Sequence, residues 1–105
     1  MVYQVTDYVI KAGDTFTLKF DGHNTWQATK MTAILFYDEV GMQIPLASQD
    51  FTLTDTMQPF TMTFTVTGPD GIGDKVGIAF ANSTGRSDGQ AWCGFDNVRL
   101  SVLAK

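Results

Sequence analysis

Two tryptophans and a set of planar polar side chains are the residues in this chain best suited to hold a ligand. Trp26 and Trp92 both stand in polar stretches, away from any alternating apolar run, and the sequence predicts both in loops. An indole face stacks on the apolar C–H face of a sugar ring, while amide, guanidinium and carboxylate groups bind its hydroxyls. Asn24, Gln27, Arg86 and Asp88 are the candidates for that second task, with His23, Asn82 and Gln90 as further polar neighbours. The competing account is structural: either ring closes an open end of the core with its N–H satisfied. Tyr37 is a third aromatic candidate, as a wall of a binding groove or as a member of the core.

Asp96 poses a different problem. It shares the parity of Val98, Leu100 and Val102, so strict alternation would aim a carboxylate at the core. A buried acid needs a cation, a hydrogen-bond network or a metal.

Catalysis finds little to work with. His23 is the only histidine, and any Ser-His-Asp arrangement would have to use it. Asp38 and Glu39 are adjacent in a turn, which does not define a glycosidase pair. No glycine-rich loop follows a strand and opens a helix. Cys93 reads as a small semi-buried residue. These residues predict a protein that is not an enzyme.

The elements that must carry these groups are strands. Thr15 to Asp21 alternates, with Phe16, Leu18 and Phe20 facing in. Gln58 to Val66 does the same through Phe60, Met62, Phe64 and Val66. Met31 to Asp38 is apolar at both parities, which marks a central strand covered on both sides or one with a face lining a groove. Tyr3 to Val5, Tyr8 to Ile10, Ile44 to Ala47, Phe51 to Thr54, Lys75 to Ala81 and the run from Trp92 to Val102 complete the set. Pro45 points to an edge strand. Gly77 and Ala79 leave room above the sheet for a neighbour's side chain or a ligand. Gly22 to Thr29 and Asn82 to Gln90 read as loops, and Gly68-Pro69-Asp70-Gly71 as a turn. The pattern is all-β, an antiparallel β-sandwich or barrel, as one domain spanning residues 1–105. Exposed threonines on these strands are read simply as good strand residues.

Composition narrows the partners. The chain has 105 residues, 44% hydrophobic and 17% charged, which suits a packed domain. Its formal net charge of −4 repels phosphates, so nucleic acid is not an expected partner. No apolar run reaches a membrane span, and no signal peptide opens the chain. One cysteine closes no internal disulfide.

Three segments carry a resemblance. They are Tyr3-Gln4 followed by Ile10-Lys11-Ala12-Gly13-Asp14-Thr15-Phe16-Thr17-Leu18-Lys19-Phe20, then Val76-Gly77-Ile78-Ala79-Phe80-Ala81-Asn82, and the closing Gly94-Phe95-Asp96-Asn97-Val98-Arg99-Leu100. Together they resemble the galactose-binding-like jelly rolls, a superfamily rich in carbohydrate-binding modules attached to secreted bacterial glycoside hydrolases. The resemblance implies a jelly-roll sandwich that binds a polysaccharide or oligosaccharide without catalysis. It implies an extracellular or cell-surface setting within a larger secreted protein, whose signal peptide is not in this chain. It also implies that two loop aromatics at one end, here Trp26 and Trp92, grip the sugar. The acid matching Asp96 often helps bind a structural calcium ion in that group. Here the alternatives are that Asp96 holds backbone N–H groups or pairs with Arg99 or Lys19. No cofactor is required. The usual first strand, with its Asn/Asp-Phe-Glu, is missing from the match, which points to an open sheet edge and self-association through it. The alternative function is a structural or interaction sandwich of a surface protein without sugar affinity.

Overall fold

The computed structural model describes residues 2–26, 30–82 and 92–104, with side chains described within 3–23, 30–81 and 96–104. Seven strands run β1 Val2–Val9, β2 Thr15–Trp26, β3 Lys30–Glu39, β4 Met42–Thr52, β5 Gln58–Thr65, β6 Lys75–Asn82 and β7 Trp92–Leu103. They form two antiparallel sheets, ordered β1-β6-β3-β4 and β5-β2-β7. The protein is an all-β antiparallel sandwich, as the alternating runs and the jelly-roll resemblance lead one to expect. Among the described residues no helix is long and apolar enough to cross a membrane.

Alternation explains the core. Phe16, Leu18 and Phe20 of β2 face Met31, Ala33, Leu35 and Tyr37 of β3 across the sandwich, and all are buried. Phe20 lies at the middle, with ring centroids of Phe51, Phe60 and Phe80 at 5.2, 5.5 and 5.0 Å. Such tilted and edge-on contacts match the aromatic quadrupole and add to simple burial.

β3 is apolar at both parities because it is central, between β6 and β4. Its odd-numbered residues enter the core. Phe36 points to the other face, yet is only 2% exposed. Its ring lies across Gly77, its register partner on β6, and meets Tyr3 of β1 edge-on at 6.3 Å. A Cβ on Gly77 would collide with that ring and sit 2.9 Å from the Gln4 carbonyl oxygen. The room left by Gly77 is therefore filled by a neighbour's side chain.

The edges differ from the sequence reading in two places. β1 and β4 are each one strand, where short separate pieces were predicted. Both carry irregularities: the register shifts between Val5 and Val9 in β1, and Leu46 is an extra residue where Phe36 pairs with Pro45. Bulges let a strand absorb residues that break alternation. β4 is an edge strand with Pro45 at its bulge, as proline in a sheet requires.

Candidate functional site

The tryptophans are not in loops. β2 continues past the core as Gly22-His23-Asn24-Thr25-Trp26, and β7 opens as Trp92-Cys93-Gly94-Phe95. The two segments pair with each other: Gly22 opposite Phe95, His23 opposite Gly94, Asn24 opposite Cys93, and Trp26 opposite Trp92. An antiparallel ladder needs only two backbones, so a polar segment can extend as strand where no core demands alternation. Thr25 is an extra residue between the last two pairs, an irregularity that brings Trp26 into register with Trp92. Two tryptophan positions far apart in sequence are thus direct cross-strand partners at one end of the three-stranded sheet. Asn24 occupies the adjacent rung. Gln27, Arg86 and Asp88 lie outside the described residues.

Asp96 does not enter the core. Between the pairs Lys19–Arg99 and Asp21–Asp96, β7 contains more residues than β2, and Asn97 takes a left-handed φ of 52°. Asparagine is one of the few non-glycine residues at home there. The bulge reverses the parity that alternation had assigned, and Asp96 is exposed. Its Oδ1 accepts the Asn97 backbone N–H at 2.8 Å. The Asn97 amide Nδ2 donates to Asp21 Oδ2 at 2.8 Å, and the Arg99 Nε–H donates to the Asn97 carbonyl at 3.2 Å. Asp21 and Asp96 are like charges directly opposite each other, an unfavourable pair. Asn97 gives one N–H to each of them and so holds the bulge between them. Of the alternatives for Asp96, the structure shows it holding a backbone N–H. Calcium takes six to eight oxygen ligands. Among the described residues no three or more His, Cys, Asp or Glu side chains gather where they could hold a metal ion.

Tyr37 is a core residue, not the wall of a groove. It is 8% exposed, and its ring packs so closely on Gly71 that a Cβ there would lie 3.0 Å from Cδ1. Gly71 has a φ of 83°, which suits glycine for a second reason. Burial, followed by the carboxylates of Asp70, Glu39 and Asp74, raises the Tyr37 phenol above its ordinary value.

Asp14 escaped the sequence reading. It is 1% exposed and lies in the turn between β1 and β2. Its Oδ2 accepts the Tyr8 hydroxyl at 2.8 Å and the Lys11 backbone N–H at 2.9 Å. Its backbone carbonyl accepts the Val66 N–H at 2.8 Å, and the Val66 carbonyl accepts from Gly13 at 3.1 Å. The hydrogen bond to Asp14, then burial and the Asp14 charge, raise the Tyr8 phenol above its ordinary value. The signal available in the sequence was an aspartate after Ala-Gly in a turn, where a carboxylate readily caps nearby N–H groups.

No protein-family model and no curated protein matches the chain. Solved structures do match in shape. A cyclase from Fischerella sp. TAU, in complex with 4-(1H-indol-3-yl)butan-2-one, superposes with a TM-score of 0.77 at 23% identity, over 98% of this chain and 56% of that one. A Stig cyclase, Fisc, from the same source, in complex with (3Z)-3-(1-methyl-2-pyrrolidinylidene)-3H-indole, gives 0.74 at 23% identity, over 98% and 56%. A CBM4 structure gives 0.71 at 23% identity, over 96% and 59%. The chain therefore spans a little over half the length of each, and at this identity the likeness establishes the sandwich fold.

Proposed function

We propose that this domain is a non-catalytic carbohydrate-binding module that holds a polysaccharide or oligosaccharide. The single observation carrying the reading is the cross-strand pairing of Trp26 with Trp92. Positions directly opposite in an antiparallel pair have Cβ atoms roughly 4.5–5.5 Å apart and share a face. On this reading the two indoles form an apolar platform of the kind a pyranose ring stacks on, and Asn24, Gln27, Arg86 and Asp88 supply hydroxyl partners. The sandwich shared with a CBM4 structure supports the same reading. On this reading the domain works outside the cell or at its surface, in a larger secreted protein such as a glycoside hydrolase. There it raises the local concentration of its attached partner on a polymer. Affinity is modest, because stacking and a few hydroxyl hydrogen bonds are offset by lost water contacts.

The test is tryptophan fluorescence and gel retardation against a panel of soluble polysaccharides. Binding is expected for at least one polymer, and Trp92→Ala is expected to remove it while the fold stays intact. If no polymer shifts the intact protein, the domain is a spacer or interaction sandwich. A second reading rests on the likeness to the two cyclases crystallised with indole compounds. It predicts that an indole ligand, and no polysaccharide, quenches the protein's fluorescence.

A further inference from the structure

One rung of the β2–β7 ladder works against the fold. Asp21 and Asp96 stand directly opposite each other, and like charges so placed destabilise a sheet. Neither is neutralised: among the described residues the ion pair is Lys75 with Asp7, and none reaches Asp21 or Asp96. Lys19 and Arg99 face each other on the far side of the Asn97 bulge, and the Arg99 Nε–H goes to the Asn97 carbonyl. Asn97 bridges the two acids without supplying charge. A local rule broken at a cost to stability points to function.

The place of the pair says which function. A Cβ on Gly22 would meet the side chains of Phe60, Leu53 and Met31, so position 22 faces the core and position 21 the outer surface. On β7, positions 92, 94 and 96 share one parity. The backbone therefore puts the Trp26–Trp92 rung and the Asp21–Asp96 rung on the same outer face of the three-stranded sheet. Four residues of β7 separate them, about 13 Å along the strand. The surroundings are acidic as well. Lys30 follows Trp26 by four residues and pairs with Thr52, so Asp50 and Asp55 belong to this end of the sandwich. Arg86 and Asp88, between Asn82 and Trp92 in sequence, add one charge of each sign. The field around the tryptophan positions is negative.

We infer that Asp21 and Asp96 set the charge specificity of the tryptophan site, and that its ligand is a polysaccharide without carboxylate or sulfate groups. This rests on the carbohydrate reading above and adds the class of sugar to it. Specificity is built from repulsion of the wrong ligand as well as from contacts with the right one. A chain of a few sugar units held at Trp26 and Trp92 and running along the ladder crosses the acid pair. A hydroxyl there meets two carboxylate acceptors. A uronate meets two like charges, which cost it affinity.

The probes are soluble β-glucan, xylan and galactomannan, each unmodified, hydroxyethylated and carboxymethylated to the same degree, together with polygalacturonate. Binding is read by tryptophan fluorescence at about 10 mM salt, where charges act over about 30 Å. The carboxymethylated form of a bound polymer is expected to bind about five- to tenfold more weakly than the hydroxyethylated form. The gap should close at about 1 M salt, where screening leaves a reach of about 3 Å. Asp21→Asn with Asp96→Asn keeps carboxamide oxygens to accept from Asn97 and should close the gap at low salt. Glu39→Gln with Asp70→Asn removes two charges beside Tyr37 at the far end of β3 and should leave the gap open. The inference is overturned, with the carbohydrate reading intact, if the carboxymethylated form binds as tightly as the hydroxyethylated one or the asparagine pair leaves the gap unchanged. The same holds if polygalacturonate binds where every neutral polymer fails. If none of these polymers binds, both fall together.

Discussion

The β2–β7 pair has two halves that are strands for different reasons. Near the β1–β2 turn, Thr15 to Lys19 lies against Arg99 to Leu103, and hydrophobic alternation dictates the register. Beyond Asp21 the same two strands continue as a polar ribbon to Trp26 and Trp92, held by backbone pairing. The Asn97 bulge divides them. The near half is tied to its surroundings: the Asp14 hydrogen bonds, the Ile10 N–H to Asp74 O bond at 2.9 Å and the Gly73 N–H to Ile10 O bond at 3.0 Å close that end of the sandwich. One half therefore specifies the fold, and on the proposed reading the outer end of the other carries residues for a ligand. Substitutions in the first should cost stability and leave binding alone, and those in the second should do the reverse.

The sharpest break is at Asp14. Asp14→Ala removes the acceptor of the half-buried Tyr8 hydroxyl and of the Lys11 N–H, and should cost about 1–3 kcal/mol. For a domain of this size each kcal/mol lowers the melting temperature by roughly 4–8 °C. Retardation by any bound polysaccharide should be unchanged at temperatures where the variant is folded. A fall in polymer affinity with the fold intact would mean the two halves are coupled.

The tryptophans are the mirror of that experiment. Trp92→Ala and Trp26→Ala should each weaken polysaccharide binding by about 10- to 100-fold, the usual cost of removing an aromatic anchor. Thermal melts should move little. If each variant melts far below the parent and binding falls only through unfolding, the far ribbon is structural and the comparison collapses.

What the residues revealed in advance follows the same divide. Phe16, Leu18 and Phe20, and the run from Phe60 to Val66, declared their faces because a core punishes any break in alternation. β3 declared itself central, and Pro45 declared an edge. Asp96 was misread because parity holds only until a bulge, and a bulge is set by one left-handed residue that alternation cannot see. Trp26 and Trp92 were misread as loop residues because polar strands carry no hydrophobic period. Their pairing in space was legible only as an expectation drawn from the resemblance. Tyr37 and Phe36, adjacent on β3, both have large rings, and composition could not say that Tyr37 would pack on Gly71 while Phe36 crossed Gly77.

The divide itself can be tested at Asn97. Asn97→Ala removes the amide that donates to Asp21 and places a less tolerant residue at a φ of 52°. The expected loss is about 1–2 kcal/mol, from the hydrogen bond to a carboxylate and the left-handed backbone together. Asn97→Gly keeps the backbone conformation accessible and should recover part of it, read as the difference between the two melting temperatures. If alanine and glycine melt alike, backbone strain contributes nothing, and the bulge is held by side-chain hydrogen bonds alone.

The smallest effect concerns a turn of the other sheet. The β3–β4 hairpin turns on Val40 and Gly41, with φ of 51° and 81°. Two positive φ values in a two-residue turn favour Asn-Gly, and a β-branched residue at the first position is strained. Val40 is 98% exposed, so its side chain gains almost nothing from packing. Val40→Asn should therefore raise stability by about 0.5–1 kcal/mol, visible as a melt a few degrees higher. Because the hairpin belongs to the other sheet from the tryptophan ribbon, the gain should leave polysaccharide affinity where it was. A more stable variant that also bound differently would show that rigidity at this end reaches the far ribbon through the core.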